Sequence, residues 1–229
     1  MKLCLVCGQQ FTPQISFCQI LYWKKQPEEY LCRYCKAKFT KLSQPRCQFC
    51  DRELDKNIIC NDCQKWRHLY GDNLIHNHAV YQYNQAAHDL MVNYKRYGDF
   101  VLAKVLQQLC YLNLKKIHAD FYVPLPTSPE HCARRQFDTI TSIFDDLVLL
   151  TSVLDKHGGL SAQGEKNRSE RLKTPQSFFI KKDFKVNLNN KKILLLDDIY
   201  TTGRTLYHAR DAIIKRYPSV QISSFTIYR

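Results

Sequence analysis

Glycine is scarce in this chain, with 7 in 229 residues, and none falls in a G-x-x-x-x-G-K-[ST] or G-x-G-x-x-G arrangement. That removes the P-loop nucleotidases and the dinucleotide-binding dehydrogenases, whose phosphate loops need those glycines. Long apolar runs are missing too. The most continuous, such as Ile193 to Leu196, fall far short of the ~20 residues a bilayer-spanning helix needs. At the N-terminus, Lys2 is followed by a short apolar stretch broken by Cys4, Cys7 and Gly8, without the apolar core and cleavage site of a signal peptide. The expectation is a cytoplasmic protein with no membrane span. Acidic residues are in deficit: 21 Asp+Glu against 34 Lys+Arg leave +13, an excess that favours a polyanionic partner. The remaining composition, 45% hydrophobic and 24% charged, is that of a folded globular chain and excludes disorder, collagen-like repeats and coiled coil.

What the chain does have is cysteine, placed unevenly. Nine of the 11 lie between Cys4 and Cys63, and eight of these form C-x2-C pairs: Cys4/Cys7, Cys32/Cys35, Cys47/Cys50 and Cys60/Cys63. In a cytoplasmic protein this pattern points to metal rather than disulfides. Two pairs supply the four thiolates of a tetrahedral Zn2+ site, so eight make two closed, structural sites. Cys47/Cys50 with Cys60/Cys63 is compact enough for one zinc ribbon, leaving Cys4/Cys7 with Cys32/Cys35 for the other; an interleaved pairing is the alternative. A thioredoxin-like dithiol is the rival chemistry, but exchange does not need four consecutive pairs. Cys18, Cys110 and Cys132 read as buried thiols.

The composition changes near residue 75, which divides the chain into a cysteine-rich module, 1–75, and a second domain, 76–229. Alternation over Ala79 to Tyr83 suggests a strand, and Gln85 to Tyr97 a helix stopped by Gly98. Helices are also expected over Phe100 to Ile117, Thr139 to Leu150 and Thr205 to Arg216. Strands are expected at Phe121 to Leu125, Ser177 to Ile180, Lys192 to Leu196 and Val220 to Tyr228. Strand and helix alternate, which argues for an α/β fold with a mainly parallel sheet flanked by helices.

Most of the chemistry lies in Lys192 to Thr205. A buried parallel strand delivers Asp197 and Asp198 at its C-terminal end, where open α/β sheets bind ligands. Thr201-Thr202-Gly203-Arg204-Thr205 then opens a helix, and its N–H groups, hydroxyls and helix dipole suit a phosphate. Two carboxylates beside a phosphate repel it unless they hold something else, either a vicinal diol or a bridging Mg2+. Phosphate and diol together describe ribose 5-phosphate. The plainer alternative is that Asp198 and the threonines cap a helix.

This segment resembles the PRPP-binding signature of type I phosphoribosyltransferases. Together with the four N-terminal C-x2-C pairs, the chain resembles the ComF/ComFC family of competence proteins over nearly its whole length. Tyr94 to Asp99 and Lys166 to Arg171 match as well, the latter where such enzymes carry a mobile loop. The resemblance implies a phosphoribosyltransferase-like fold with a zinc-ribbon module. It assigns Asp197 and Asp198 to the diol, Thr201, Thr202, Gly203, Arg204 and Thr205 to the 5-phosphate, and Arg134, Arg135 or Arg168 to pyrophosphate, with Mg2+ accompanying PRPP. The chain departs from the family's R-G-F-N-Q-like run: Gln136, Asp138 and Thr139 replace its glycine and amides, adding bulk and a negative charge beside the expected diphosphate. Turnover of PRPP is therefore left open.

Two functions follow from the resemblance. One is natural transformation: handling incoming single-stranded DNA with a ComFA-like helicase and other competence proteins, at the inner face of the membrane through those partners. The other is phosphoribosyl transfer to a nucleobase or amine. A structural adaptor with a vestigial site is the third reading. For DNA the candidate contacts are Lys95 and Arg96, flanked by Tyr81, Tyr83, Tyr94 and Tyr97 as stacking surfaces or as core.

Overall fold

The computed structural model describes residues 1–13, 28–56, 58–157 and 176–229. Two short strands, β1 (Lys2–Leu3) and β2 (Gln10–Phe11), pair antiparallel. Helices α1 (Arg33–Ala37) and α2 (Asn61–Tyr70) follow, each starting on a ligand-type residue, Cys32 and Cys60. The central sheet then forms from β3 (His76–Tyr81), β4 (Phe121–Pro124), β7 (Lys192–Ile199) and β8 (Gln221–Tyr228), in the order β3-β8-β7-β4. Every pairing in it is parallel.

Side-chain parity in β7 explains its unbroken apolar run. Leu194 and Leu196 enter the cluster on one face, and Ile193 and Leu195 enter the cluster on the other. A strand covered on both faces needs apolar residues at every position rather than at every second one. On the first face lie α3 (Gln85–Lys95), α4 (Ala103–Leu114) and α6 (Thr139–Phe144); on the second lies α7 (Arg204–Ile214). Each face also takes in part of the cysteine-rich segment. Cys4, Leu31, Cys32, Cys35 and Phe39 share a cluster with Val80 and Tyr94, while Cys47, Cys50, Cys60, Cys63 and Trp66 share the other with Leu125 and Tyr207.

Several expected boundaries shift for local reasons. The strand expected from Ala79 begins at His76, and α3 stops at Lys95 with Gly98 left-handed beyond it (φ 73°). The Phe100 to Ile117 helix is a 3-10 turn at Phe100–Leu102 followed by α4, and Val101 and Leu112, placed by spacing on its apolar stripe, are exposed. The helix from Thr139 ends at Phe144 rather than Leu150. Strand β7 runs through to Ile199, so both carboxylates sit within its last residues. Beyond the four short elements of the cysteine-rich segment, two more were not expected: α5 (Pro129–Arg135), with proline at its first turn, and β5 (Leu154–Lys156), which pairs antiparallel with β6 (Phe178–Ile180). Among the described residues, no helix is long and apolar enough to cross a membrane.

Candidate functional site

A cleft of ≈ 400 Å³ opens at the C-terminal edge of the parallel sheet. Its floor is Asp197 and Asp198 from β7; its walls are Thr201, Thr202, Arg204 and Thr205 on one side and Leu125 to Ser128, His131 and Arg135 on the other. Lys95 enters from the end of α3, and Lys156 from β5. The cleft thus gathers cations from four separate elements, Lys95, Arg135, Lys156 and Arg204, around one pair of carboxylates.

The carboxylates are not equivalent. Asp198 is buried, and its Oδ2 forms an ion pair with Lys95 Nζ. Burial and the neighbouring Asp198 charge push the Asp197 carboxyl up to about 7, far above the usual carboxylate range. Lys95 therefore supplies counter-charge that the sequence alone assigned to a diol or to Mg2+. Lys156 is itself held down by burial, against the pull of Asp197. Burial lowers His208 to about 4, with Arg204 adding to the effect, and burial followed by Arg135 and Arg134 lowers His131. Both imidazoles are therefore neutral at physiological pH.

The Thr201 to Thr205 turn is shaped by Gly203. Its φ of 82° is left-handed, and a Cβ there would lie 2.3 Å from Tyr200 Oη and 3.3 Å from Trp66 Nε1. The glycine lets the turn lie against Tyr200, and the cleft is lined by the residues around it. Thr202 is buried, and its Oγ1 accepts a 3.4 Å bond from the Arg204 N–H. Thr201 and Thr205 face the open side.

The opposite wall departs from a pyrophosphate loop in a specific way. Gln136 takes the left-handed conformation that ends α5 (φ 65°). Asp138 turns away from any ligand: Oδ1 accepts from the N–H groups of Ile140 and Thr141, capping α6, and Oδ2 accepts from Thr127 N–H at 2.9 Å. Burial alone raises its carboxyl, but the N–H groups of Thr141 and Thr127 bring it below the usual value. The added charge is thus absorbed by the backbone. Arg135 lines the cleft and donates from Nε to Lys95 O at 2.6 Å, whereas Arg134 is exposed and is not part of the lining. Ser128 Oγ is buried in the same wall with no hydrogen-bond partner. Arg168, with the whole Lys166 to Arg171 block, and Cys18 lie outside the described residues.

The two DNA candidates separate at the end of α3. Lys95 turns into the cleft, while Arg96 stays exposed. Among the tyrosines, Tyr81 and Tyr94 are core residues, Tyr83 is 40% exposed and Tyr97 is 74% exposed. Sequence reasoning missed Lys156, His131, Ser128 and His208 in the cleft. Nothing in local spacing marks them, because they reach the cleft from three separate places in the chain, the start of α5, β5 and α7.

The eight paired cysteines form two groups, Cys4/Cys7/Cys32/Cys35 and Cys47/Cys50/Cys60/Cys63, with the ligand atoms of each within 4.8 Å of one another. The pairing is sequential. A tetrahedral ion with metal–sulfur bonds of about 2.3 Å sets sulfurs roughly 3.8 Å apart, and Cys7 to Cys32 is 3.8 Å and Cys50 to Cys60 is 3.5 Å. Backbone N–H groups of Cys35 and Cys60 point at the sulfurs of Cys32 and Cys47, which suits anionic ligands. Both groups fit a four-coordinate metal such as zinc, with no position left for water.

No family model matches the chain. Two curated proteins are similar along its length. Competence protein ComFC of Streptococcus pneumoniae (strain ATCC BAA-255 / R6) is 33% identical over 231 residues, covering 99% of each chain. Competence protein ComFC of Bacillus subtilis (strain 168) is 29% identical over 239 residues, covering 99% of this chain and 95% of its own. Among solved structures, a hypoxanthine phosphoribosyltransferase from Staphylococcus aureus aligns with 55% of this chain and 62% of its own, at 17% identity and a TM-score of 0.28. That likeness is too slight to carry an argument.

Proposed function

Because the chain belongs to the ComFC family of competence proteins, we propose that it handles incoming single-stranded DNA during natural transformation while its cleft binds PRPP or ribose phosphate. In this reading residues 76–229 form the phosphoribosyltransferase-like body, and residues 1–75 the module that holds two structural Zn2+ ions. The protein works in the cytoplasm with a ComFA-like helicase, which brings it to the inner face of the membrane.

The observation that carries the reading is the end of α3. One turn of chain commits Lys95 to Asp198 inside the cleft and leaves Arg96 and Tyr97 exposed outside it. A cation beside an exposed aromatic ring is what a single strand uses: counter-charge for its phosphates and a surface for its bases. Inside, the threonine turn suits a 5-phosphate, and Asp197 and Asp198 suit two ribose hydroxyls. DNA lacks the second hydroxyl, so the two ligands occupy different places.

The test is anisotropy with labelled oligothymidine and calorimetry with ribose 5-phosphate on the same preparation. The expected result is tighter binding of single-stranded than duplex DNA, an affinity that falls steeply with salt, and loss of DNA binding in Arg96→Glu/Tyr97→Ala with ribose 5-phosphate affinity kept. Salt-independent binding, or equal affinity for both DNA forms, overturns the DNA reading. Arg135 and Lys156 beside the carboxylates favour a second reading, phosphoribosyl transfer, because both are placed to meet a leaving pyrophosphate. Base-dependent release of pyrophosphate from PRPP would establish it.

A further inference from the structure

Three consecutive carbonyls of the cleft's phosphate turn are held by donors that belong to the second cysteine cluster. Arg229 Nη1 donates to Tyr200 O and Thr201 O, each at 3.1 Å. Trp66 Nε1 donates to Thr202 O at 2.8 Å. The other edges of the same guanidinium run to the cluster: Nε to Cys50 O at 3.0 Å and Nη2 to Cys50 Sγ at 3.2 Å. Its plane also sits over the Tyr200 ring, 4.6 Å from the centroid. Trp66 lies on α2, the helix that begins at Cys60 and carries Cys63, and it stacks on Tyr207 of α7 at 4.2 Å.

We propose that the Cys47/Cys50/Cys60/Cys63 metal centre acts as the anchor of the Thr201 to Thr205 turn, with Arg229 and Trp66 as positioning residues that transmit its geometry. The chemistry favours this over mere packing. Four thiolates outweigh a divalent cation, so the loaded centre is anionic and the half-buried guanidinium beside it is held by charge as well as by hydrogen bonds. The fork of an arginine has enough donors to grip a sulfur and three carbonyls at once, which a lysine ammonium lacks. Bonded to donors, those carbonyls are fixed in direction, and the N–H groups of Thr201, Thr202 and Gly203, opposite them in the same peptide planes, are fixed with them. Among the described residues the first cluster has no such link. Its residues join the opposite face of the sheet, with Val80 and Tyr94. The two metal sites thus have different tasks, and only the second reaches the ligand turn.

The inference rests on the ribose-phosphate reading for its consequence but not for its test. Full-length Arg229→Lys keeps the charge and removes the fork. It is expected to retain both metals by colorimetric zinc release and to melt cooperatively. Hydrogen exchange in the peptide spanning Tyr200 to Thr205 should accelerate on the order of tenfold or more, as loss of charge-assisted bonds allows, and ribose 5-phosphate should bind correspondingly less tightly. Trp66→Phe keeps the aromatic stack and should act in the same direction through Thr202 alone, which preserves the test if Arg229→Lys does not fold. Cys7→Ser, in the first cluster, should leave exchange at the turn unchanged. Wild-type exchange at the turn in both Arg229→Lys and Trp66→Phe, with metal retained, overturns the inference. Equal loosening by Cys7→Ser does so as well. If wild-type protein does not bind ribose 5-phosphate yet Arg229→Lys still loosens the turn, the ligand reading fails and the anchor stands.

Discussion

Gly203→Ala is the sharpest single perturbation the structure offers. The backbone there is left-handed (φ 82°), and a Cβ would meet Tyr200 Oη at 2.3 Å, Tyr200 Cζ at 2.8 Å and Trp66 Nε1 at 3.3 Å. Neither neighbour is free to retreat. Tyr200 is 2% exposed beneath the Arg229 guanidinium, and Trp66 is 4% exposed in a stack with Tyr207 and Tyr70. The conformational cost of a Cβ at this φ is about 1–2 kcal/mol, and overpacking a filled site adds about 1–3 kcal/mol. The total of about 2–5 kcal/mol corresponds to a fall of about 4–20 °C in Tm for a chain of this size. Chemical denaturation followed by tryptophan fluorescence measures it. Tyr200→Phe in the Gly203→Ala background removes the atom at 2.3 Å but leaves the ring carbon at 2.8 Å, so it should recover only part of the loss. A Gly203→Ala protein with wild-type stability would refute the close approach on which the shape of the turn depends.

Further outcomes follow from other parts of the cleft and the metal sites. With its folded pKa raised to about 7, above the unfolded value near 4, Asp197 stabilises the folded state relative to the unfolded chain fully only below about pH 4. That contribution is lost as pH rises through 7. Denaturation midpoints should therefore fall between about pH 4 and 7 and level off above, and Asp197→Asn should flatten the fall. Asp138→Ala removes the acceptor for three N–H groups, one cap of α6 and one brace of the Thr127 to Ser128 turn. It should cost about 2–3 kcal/mol by urea titration, the sum of a lost cap and an unpaired buried donor. Metal analysis of protein purified without chelator should give two zinc ions per chain. Cys47→Ser should lower that to one and destabilise the sheet as well, because Cys47 shares an apolar cluster with Val123, Leu195 and Tyr207; metal analysis reads the first effect and near-UV circular dichroism during urea titration the second.

What the sequence reveals and what it hides divide by distance along the chain. The C-x2-C pairs and the run from Lys192 to Thr205 are local patterns, and each corresponds to one local structure: a sulfur-bearing turn, and a strand feeding the glycine-containing turn that opens α7. The parallel sheet was legible because strand and helix patterns alternate along the chain, and β7, buried on both faces, also reads as a continuous apolar run. By contrast, Trp66 meets Thr202 across 136 residues and Arg229 meets Cys50 across 179, and no periodicity encodes such meetings. Tyr94 and Tyr97, three apart, look alike in sequence; the end of α3 at Lys95 buries the first and exposes the second. Lys156 escaped notice because β5 is only three residues long and its partner strand lies beyond residues 158–175. Asp138 was misjudged as a repulsive charge because capping is visible only when the N–H groups it accepts from are located.

The strand order carries a consequence for the chain's birth. Strand β8 lies between β3 and β7 in the sheet yet is made after both, and His76 must wait for Ser223 as its partner. At about 5–20 residues per second of synthesis, roughly 7–30 s separate the two. Throughout that interval β3 presents an open edge that any other extended segment can occupy, and β7 adds another once residue 199 is made. The cysteine clusters, complete by Cys63, are ready to bind metal before β3 is made. The order of events is therefore metal first and central sheet last.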